Sequence, residues 1–247
     1  SRLPGKTGLI AALFLAFDPA LVALSRTAGG DSLALVFGLL AIVFLIRKEW
    51  IAGGIFVGFS LASGAFFWTG LLLGVIVFLG FRLKFSLKAP FPSSAREWTL
   101  FGLAAGIAAV MASTGFFFWP SGLSGIGNGL VSFIERWSTP SLVSLKTAGI
   151  VFGFTYFPAL LLAAAGFIAS RKQHPFLSRI LLTWVIVAAL LVVLLPSREI
   201  IDWVWAAPPL WLLASLGIDS FFRRIAESER TVLVAQFTIT VALLIFS

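Results

Sequence analysis

Long, uncharged apolar runs follow one another along this chain, and they constrain its fold more than any other feature. Leu33–Ile46 and Ile180–Leu195 are two of them. A transmembrane barrel would show short segments of alternating polarity instead. A spanning helix needs about 20 apolar residues. Segments of that kind lie at 7–25, 32–46, 51–66, 68–82, 99–118, 145–170, 180–196, 203–221 and 231–247. Composition agrees: 60% of residues are hydrophobic, 11% are charged and mean hydropathy is +1.06, too little polarity to cover a water-soluble domain. The expected fold is all-α, a polytopic transmembrane helical bundle of about nine spans forming a single integral membrane domain over residues 1–247.

The stretch 51–82 decides the parity of that count. It is about 48 Å long as a helix, which overshoots a hydrocarbon core of about 30 Å. Two short crossings, turning near Ser63-Gly64 or Trp68-Thr69-Gly70, fit better. The basic residues agree. With two crossings, the loops 1–6, 47–50, 82–98, 171–179 and 222–230 lie on one side and hold all of the 18 lysines and arginines except Arg26, Arg136, Lys146 and Arg198. The positive-inside rule makes that side cytoplasmic. Three segments then reach the outer face: 18–32, 119–144 and 196–205.

The formal charge of +8 is accounted for by those retained loops and does not imply nucleic acid. There is no cysteine, which excludes disulfide and thiolate-metal chemistry. The single histidine, His174, sits in the basic loop Arg171-Lys172-Gln173-His174-Pro175 and reads as a solvated residue. The chain begins at Ser1 and ends inside the apolar run Thr231–Ser247, so it reads as a portion of a longer protein.

Charge at or near bilayer depth is costly and marks candidate functional positions. In the first outer segment, Asp18-Pro19 is a helix restart, with Asp18 as N-cap and Pro19 at the first helical position. The short helix runs to Ser25, Gly29-Gly30 turns the chain, and Asp31 or Ser32 caps the next span. Arg26 lies on the side that topology normally depletes of positive charge. In the second segment, Leu123, Ile126, Leu130, Phe133, Ile134 and Trp137 recur at helical spacing. They predict a short helix lying in the outer interface, with Glu135 and Arg136 facing water or a partner as a surface ion pair. In the third, Trp203, Trp205 and Trp211 suit an interfacial aromatic belt. Arg198 and Asp202 are four apart and can pair on a helix; alternatively Arg198 binds an anion such as a lipid phosphate.

No phosphate-binding Gly-rich loop, His-Glu-x-x-His or Gly-x-Ser-x-Gly motif is present. The spans lack the ladder of acids and histidines expected of a proton pump.

The run Asp18-Pro19, Ser25-Arg26 and Asp31-Ser32, followed by an apolar helix, resembles the GT-C superfamily of membrane glycosyltransferases. The nearest likeness is to its protein O-mannosyltransferase and lipid A aminoarabinose transferase branch. Gly53–Gly64 is similar to the glycine-bearing helix that follows there. Ser197-Arg198-Glu199, then Asp202 through Trp211, is similar to a late helix of bacterial members. The likeness spreads over about residues 8–221.

This resemblance implies transfer of a sugar from a polyprenyl-phosphate donor to a protein, lipid or glycan acceptor at the outer face, usually with inversion. The main acidic residue of such enzymes lies in a first outer loop, which would precede Ser1. Asp31 matches their second acidic position and is the candidate catalytic carboxylate. Arg26 and Arg198 are the candidate donor-phosphate ligands, while Asp18 departs from the usual Ser or Thr. Glu135, Arg136 and Asp202 are candidate supporting residues. No cofactor is evident, and a divalent metal requirement is left open. The expected location is a prokaryotic plasma membrane, with the site outside. A transporter or flippase would carry repeated halves with interrupted helices, which are not found; a scaffold subunit would leave Arg26, Asp31 and Arg198 apart.

Overall fold

The computed structural model describes residues 5–26, 30–85, 92–141 and 143–226, together with residues 237 and 241. All regular structure among the described residues is helical. The elements are α1 (Gly5–Phe17), α2 (Pro19–Arg26), α3 (Asp31–Ile46), α4 (Trp50–Leu61), α5 (Ala65–Phe85), α6 (Ala95–Ser113), α7 (Leu123–Glu135), α8 (Leu145–Gln173), α9 (Pro175–Leu194) and α10 (Ala207–Ala226). Short 3-10 helices at Pro120–Gly122 and Ile200–Ala206 lead into α7 and α10.

Three helices among the described residues are long and apolar enough to cross a membrane: Leu145–Gln173, Pro175–Leu194 and Ile200–Phe222. A fourth is obtained if Thr7–Phe17 and Pro19–Arg26 are taken as one span bent by 55°. The protein is therefore a helical membrane protein. The segment expected as a first span over 7–25 is broken at Asp18. α3 and α4 are 16 and 12 residues long, or about 24 Å and about 18 Å. The run expected over 99–118 ends as a helix at Ser113. The run expected over 231–247 lies outside the described residues, apart from 237 and 241.

The division of 51–82 falls at the first of its two expected places. α4 ends at Leu61 and α5 begins at Ala65, with Gly64 at φ +99°, a conformation open to glycine and strained for other residues. Small residues then set how closely the helices approach. A β-carbon at Gly54 would lie 2.4 Å from the Phe101 carbonyl oxygen, and one at Gly58 would lie 2.3 Å from that of Ala105. This Gly-x-x-x-Gly face brings the α4 backbone directly against α6, the form of packing that works where lipid removes the hydrophobic drive between helices. On the other side of the bundle, Gly166 of α8 meets the Leu213 carbonyl of α10 in the same way.

α6 opens with a capping box. The Ser94 hydroxyl accepts the Glu97 N–H at 3.2 Å, and the Glu97 carboxylate accepts the Ser94 N–H at 3.2 Å and the Ser93 N–H at 2.6 Å. α8 and α9 form a hairpin about His174, closed by a 2.7 Å contact between the buried Ser170 and Ser178 hydroxyls.

The 3-10 helix at Ile200–Ala206 fills the middle of the bundle. Trp203 and Trp205 are buried, which corrects their expected place in an interfacial belt. Trp205 stacks on Phe66 at 4.9 Å, and its ring edge lies where Gly70 has no side chain. Trp203 stacks on Phe152 at 4.0 Å. Trp211 also turns inward, stacking on Phe14 at 4.8 Å.

Candidate functional site

One end of the bundle gathers the start of α3, the α4–α5 turn, α7 and the segment 196–202. Gly30 lies against the Ser63 carbonyl, and Gly129 of α7 lies against Gly64. The charged residues follow from this assembly.

Asp202 is the centre of the cluster and is 2% exposed. Glu199 caps the 3-10 helix, and its N–H donates to Asp202 Oδ2 at 2.8 Å. Arg136, just past the end of α7, donates from Nη2 to the same oxygen at 2.6 Å. The Arg136 side chain is only 15% exposed, so the pair is largely desolvated. Two further links fix it. Ser197 donates its N–H to the Arg136 carbonyl at 3.1 Å, and Arg136 Nε points to the Ser197 hydroxyl at 3.4 Å. Beyond it, Ser141 donates its N–H to the Pro196 carbonyl and its hydroxyl to that of Arg198. The chain after α7 is thus stitched to the chain before the 3-10 helix.

Two expected pairings are corrected here. Asp202 pairs with Arg136 and not with Arg198, because helical geometry starts only at Ile200 and leaves Arg198 outside it. Arg136 makes no surface pair with Glu135; it turns inward while Glu135 stays exposed.

Asp31 is half-buried at the first position of α3. Its carboxyl lies within electrostatic reach of both Arg136 and Asp202. The expected cap is corrected: the N-cap position is Gly30, so neither Asp31 nor Ser32 fills it. A carboxylate in the first turn still favours the helix dipole. Arg136 pairs with the buried Asp202, leaving Asp31 as the more accessible acid.

Arg198 is half-buried, and its Nε is buried without a hydrogen-bond partner among the described residues. Among the described residues no carboxylate pairs with it, so its charge is not consumed internally. Arg26 ends α2 and is exposed, with no ion pair among the described residues. The structure thus pairs Arg136 with Asp202, sets Asp31 within electrostatic reach of both, and leaves Arg198 next to the Ser197 link. Among the described residues it shows no contact joining Arg26 to them.

Asp18 proves to be more than a cap. It is fully buried at the bend between α1 and α2. Oδ1 accepts the Leu21 N–H at 2.8 Å, which is the expected capping bond, and also the Tyr156 hydroxyl at 3.2 Å. Oδ2 accepts the Trp211 indole N–H at 2.7 Å. This carboxylate ties the bend to α8 and α10. Tyr156 and Trp211 were not legible as its partners, although Tyr156 is the chain's single tyrosine and lies in an otherwise apolar run. Ser197, which holds Arg136, carried no signal beyond its place in the 196–211 segment.

Asp202 also lines a narrow cavity whose walls include Thr69, Leu73, Phe133, Trp137 and Trp205. Its Oδ1, the Thr69 hydroxyl and the Trp205 indole N–H are buried without hydrogen-bond partners among the described residues. Among the described residues, no three of His, Asp or Glu come together as a metal site. Comparison with protein-family models, with curated proteins and with solved structures found no match.

Proposed function

We propose that this chain is part of a glycosyltransferase of the GT-C type. It would move a sugar from a polyprenyl-phosphate donor to an acceptor at the extracytoplasmic face of a prokaryotic membrane. The observation that carries this reading is that Asp31 stands within electrostatic reach of the buried Arg136–Asp202 pair, at the end of the bundle formed by the start of α3, α7 and the segment 196–202. The asymmetry of basic residues supports placing that end outside. The same asymmetry supports nine crossings, with the short α3 and α4 each counted as one.

The roles follow from the chemistry. Asp31 is the accessible carboxylate. It takes the proton of an acceptor hydroxyl, or holds that hydroxyl in place, as the acceptor oxygen bonds to the sugar's anomeric carbon. The bond from that carbon to the donor phosphate breaks, and negative charge grows on the departing polyprenyl phosphate. Arg198, unpaired with any carboxylate among the described residues, meets that charge. Arg26, exposed on the neighbouring helix, serves the same phosphate at the surface. Arg136 and Asp202 act as positioning residues, because each is occupied by the other. The donor's lipid tail enters from the bilayer, so no nucleotide-binding fold is needed.

The test uses the full-length protein in proteoliposomes with a radiolabelled polyprenyl-phosphate sugar and membrane extract as acceptor source. The expected result is label transferred to the acceptor with release of polyprenyl phosphate. Movement of the intact donor across the bilayer without transfer would replace this reading with that of a flippase.

A further inference from the structure

Residues 98–134 contain no charged side chain, yet they include the most exposed aromatic segment described. α6 ends at Ser113, and the chain then makes a tight knuckle over residues 114–119. Phe116 and Phe117 adopt φ values of 57° and 72°. Bulky residues rarely enter this left-handed region, and such strain persists only where the surroundings over-determine it. They do so here. The buried Thr114 hydroxyl accepts the Phe117 N–H at 3.0 Å, and the Thr114 carbonyl accepts the Trp119 N–H at 2.9 Å. The Phe116 N–H donates to the Met111 carbonyl at 2.8 Å. Gly122 then lies against the Ser113 carbonyl, which folds the chain back over the end of α6. The effect of this geometry is to display Phe116, Phe117, Phe118 and Trp119 outward, each between 63% and 80% exposed.

We infer that this knuckle is a bilayer anchor that inserts its aromatic rings into the interfacial region of the lipid. Three observations favour lipid as the occupant. The knuckle is continuous with the exposed apolar face of α6, where Leu103 and Ile107 face outward. It leads directly into α7, whose Leu123, Leu130, Val131 and Ile134 are also exposed. The stretch lacks any charge that would orient a protein partner, while aromatic rings beside polar Ser121 and Ser124 match the graded polarity of the headgroup boundary. α7 is about 20 Å long and ends beside Arg136. This inference rests on the membrane character of the chain and not on sugar transfer.

The chain has no cysteine, so single labels are easily placed. The full-length protein, with any cysteine outside residues 1–247 replaced, is spin-labelled at Phe117→Cys or Phe118→Cys in phospholipid nanodiscs, with Ile186→Cys, exposed half-way along α9, as the reference inside the span. The expected label collides with oxygen more than with a water-soluble nickel complex, at a depth shallower than position 186. Free access to nickel, which means water, overturns the proposal. Exclusion from both quenchers, which means a protein cover, overturns it equally. Quenching of Trp119 by brominated lipid, taken as the difference between wild type and Trp119→Phe, reads the same depth without a label. A difference signal that bromine does not reduce also overturns it.

Discussion

Arg136 Nη2 lies 2.6 Å from Asp202 Oδ2, and this contact joins residues 66 positions apart through an almost solvent-free pair. It fastens the end of α7 to the start of the 3-10 helix. Breaking a buried pair from one side leaves an uncompensated charge and costs about 3–5 kcal/mol. Arg136→Met and Asp202→Leu should each lower the thermal midpoint of the detergent-solubilised protein strongly. The double variant should cost clearly less than the sum, retaining the loss of the bonds from the Glu199 N–H to Asp202 and from Arg136 to Ser197. Simple additivity would show that the pair is not coupled.

Asp18 should be as important to stability as any residue of the site. Asp18→Ala removes the acceptor of the Leu21, Tyr156 and Trp211 donors together. Each buried donor left unsatisfied costs about 1–3 kcal/mol. Tyr156→Phe removes one donor and leaves the carboxylate two others, so it should cost about 1 kcal/mol. Chemical denaturation of the three proteins should give that order.

The contact of α4 with α6 has no room for a larger residue. Gly58→Leu should force the helices apart and cost at least about 1–3 kcal/mol, because its β-carbon would sit 2.3 Å from the Ala105 carbonyl oxygen. Gly74, whose β-carbon would meet nothing within 4 Å, is the control. Gly74→Leu should leave the yield of folded protein unchanged by size-exclusion chromatography.

Glu97 lies in the capping turn of α6, ahead of the apolar stretch that starts at residue 99. The Ser93 N–H, the Ser93 hydroxyl and the Ser94 N–H hold its carboxyl below the ordinary value of 4.5, with Trp50 contributing. A carboxyl depressed in the folded state contributes stability above its unfolded pKa and loses it as pH falls through the folded value. The wild type should therefore lose thermal stability more steeply than Glu97→Gln as pH drops from about 5 into the range below the usual carboxylate pKa of about 4.3. Parallel acid limbs would contradict the assignment.

Local chemistry was legible in the sequence, and long-range chemistry was not. Asp18-Pro19 declared a helix restart because N-cap and first-turn preferences are set within four residues. Length and charge parity divide 51–82 in two but leave the turn open between Ser63-Gly64 and Trp68-Thr69-Gly70, and the fold selects the first. The partner of Asp202 was not legible, because spacing on a helix suggested Arg198, and only the fold shows that the helix begins after it. Trp203 and Trp205 were misplaced for a related reason. A belt tryptophan and a buried one have the same local sequence, and it is the packing of Phe66 and Phe152 that tells them apart. The span over 99–118 was drawn too long because hydropathy does not register the left-handed turn at Phe116 and Phe117.

In the proposed reaction Asp31 works on the reacting groups while Arg136 and Asp202 hold the site in shape. The most direct measurement is sugar transfer from a polyprenyl-phosphate donor by full-length Asp31→Asn, alongside its melting curve. General-base catalysis contributes about 10²–10⁴-fold, so transfer should fall by at least about 100-fold while the thermal midpoint stays near that of the wild type. Unimpaired transfer by Asp31→Asn in a folded protein would contradict the account.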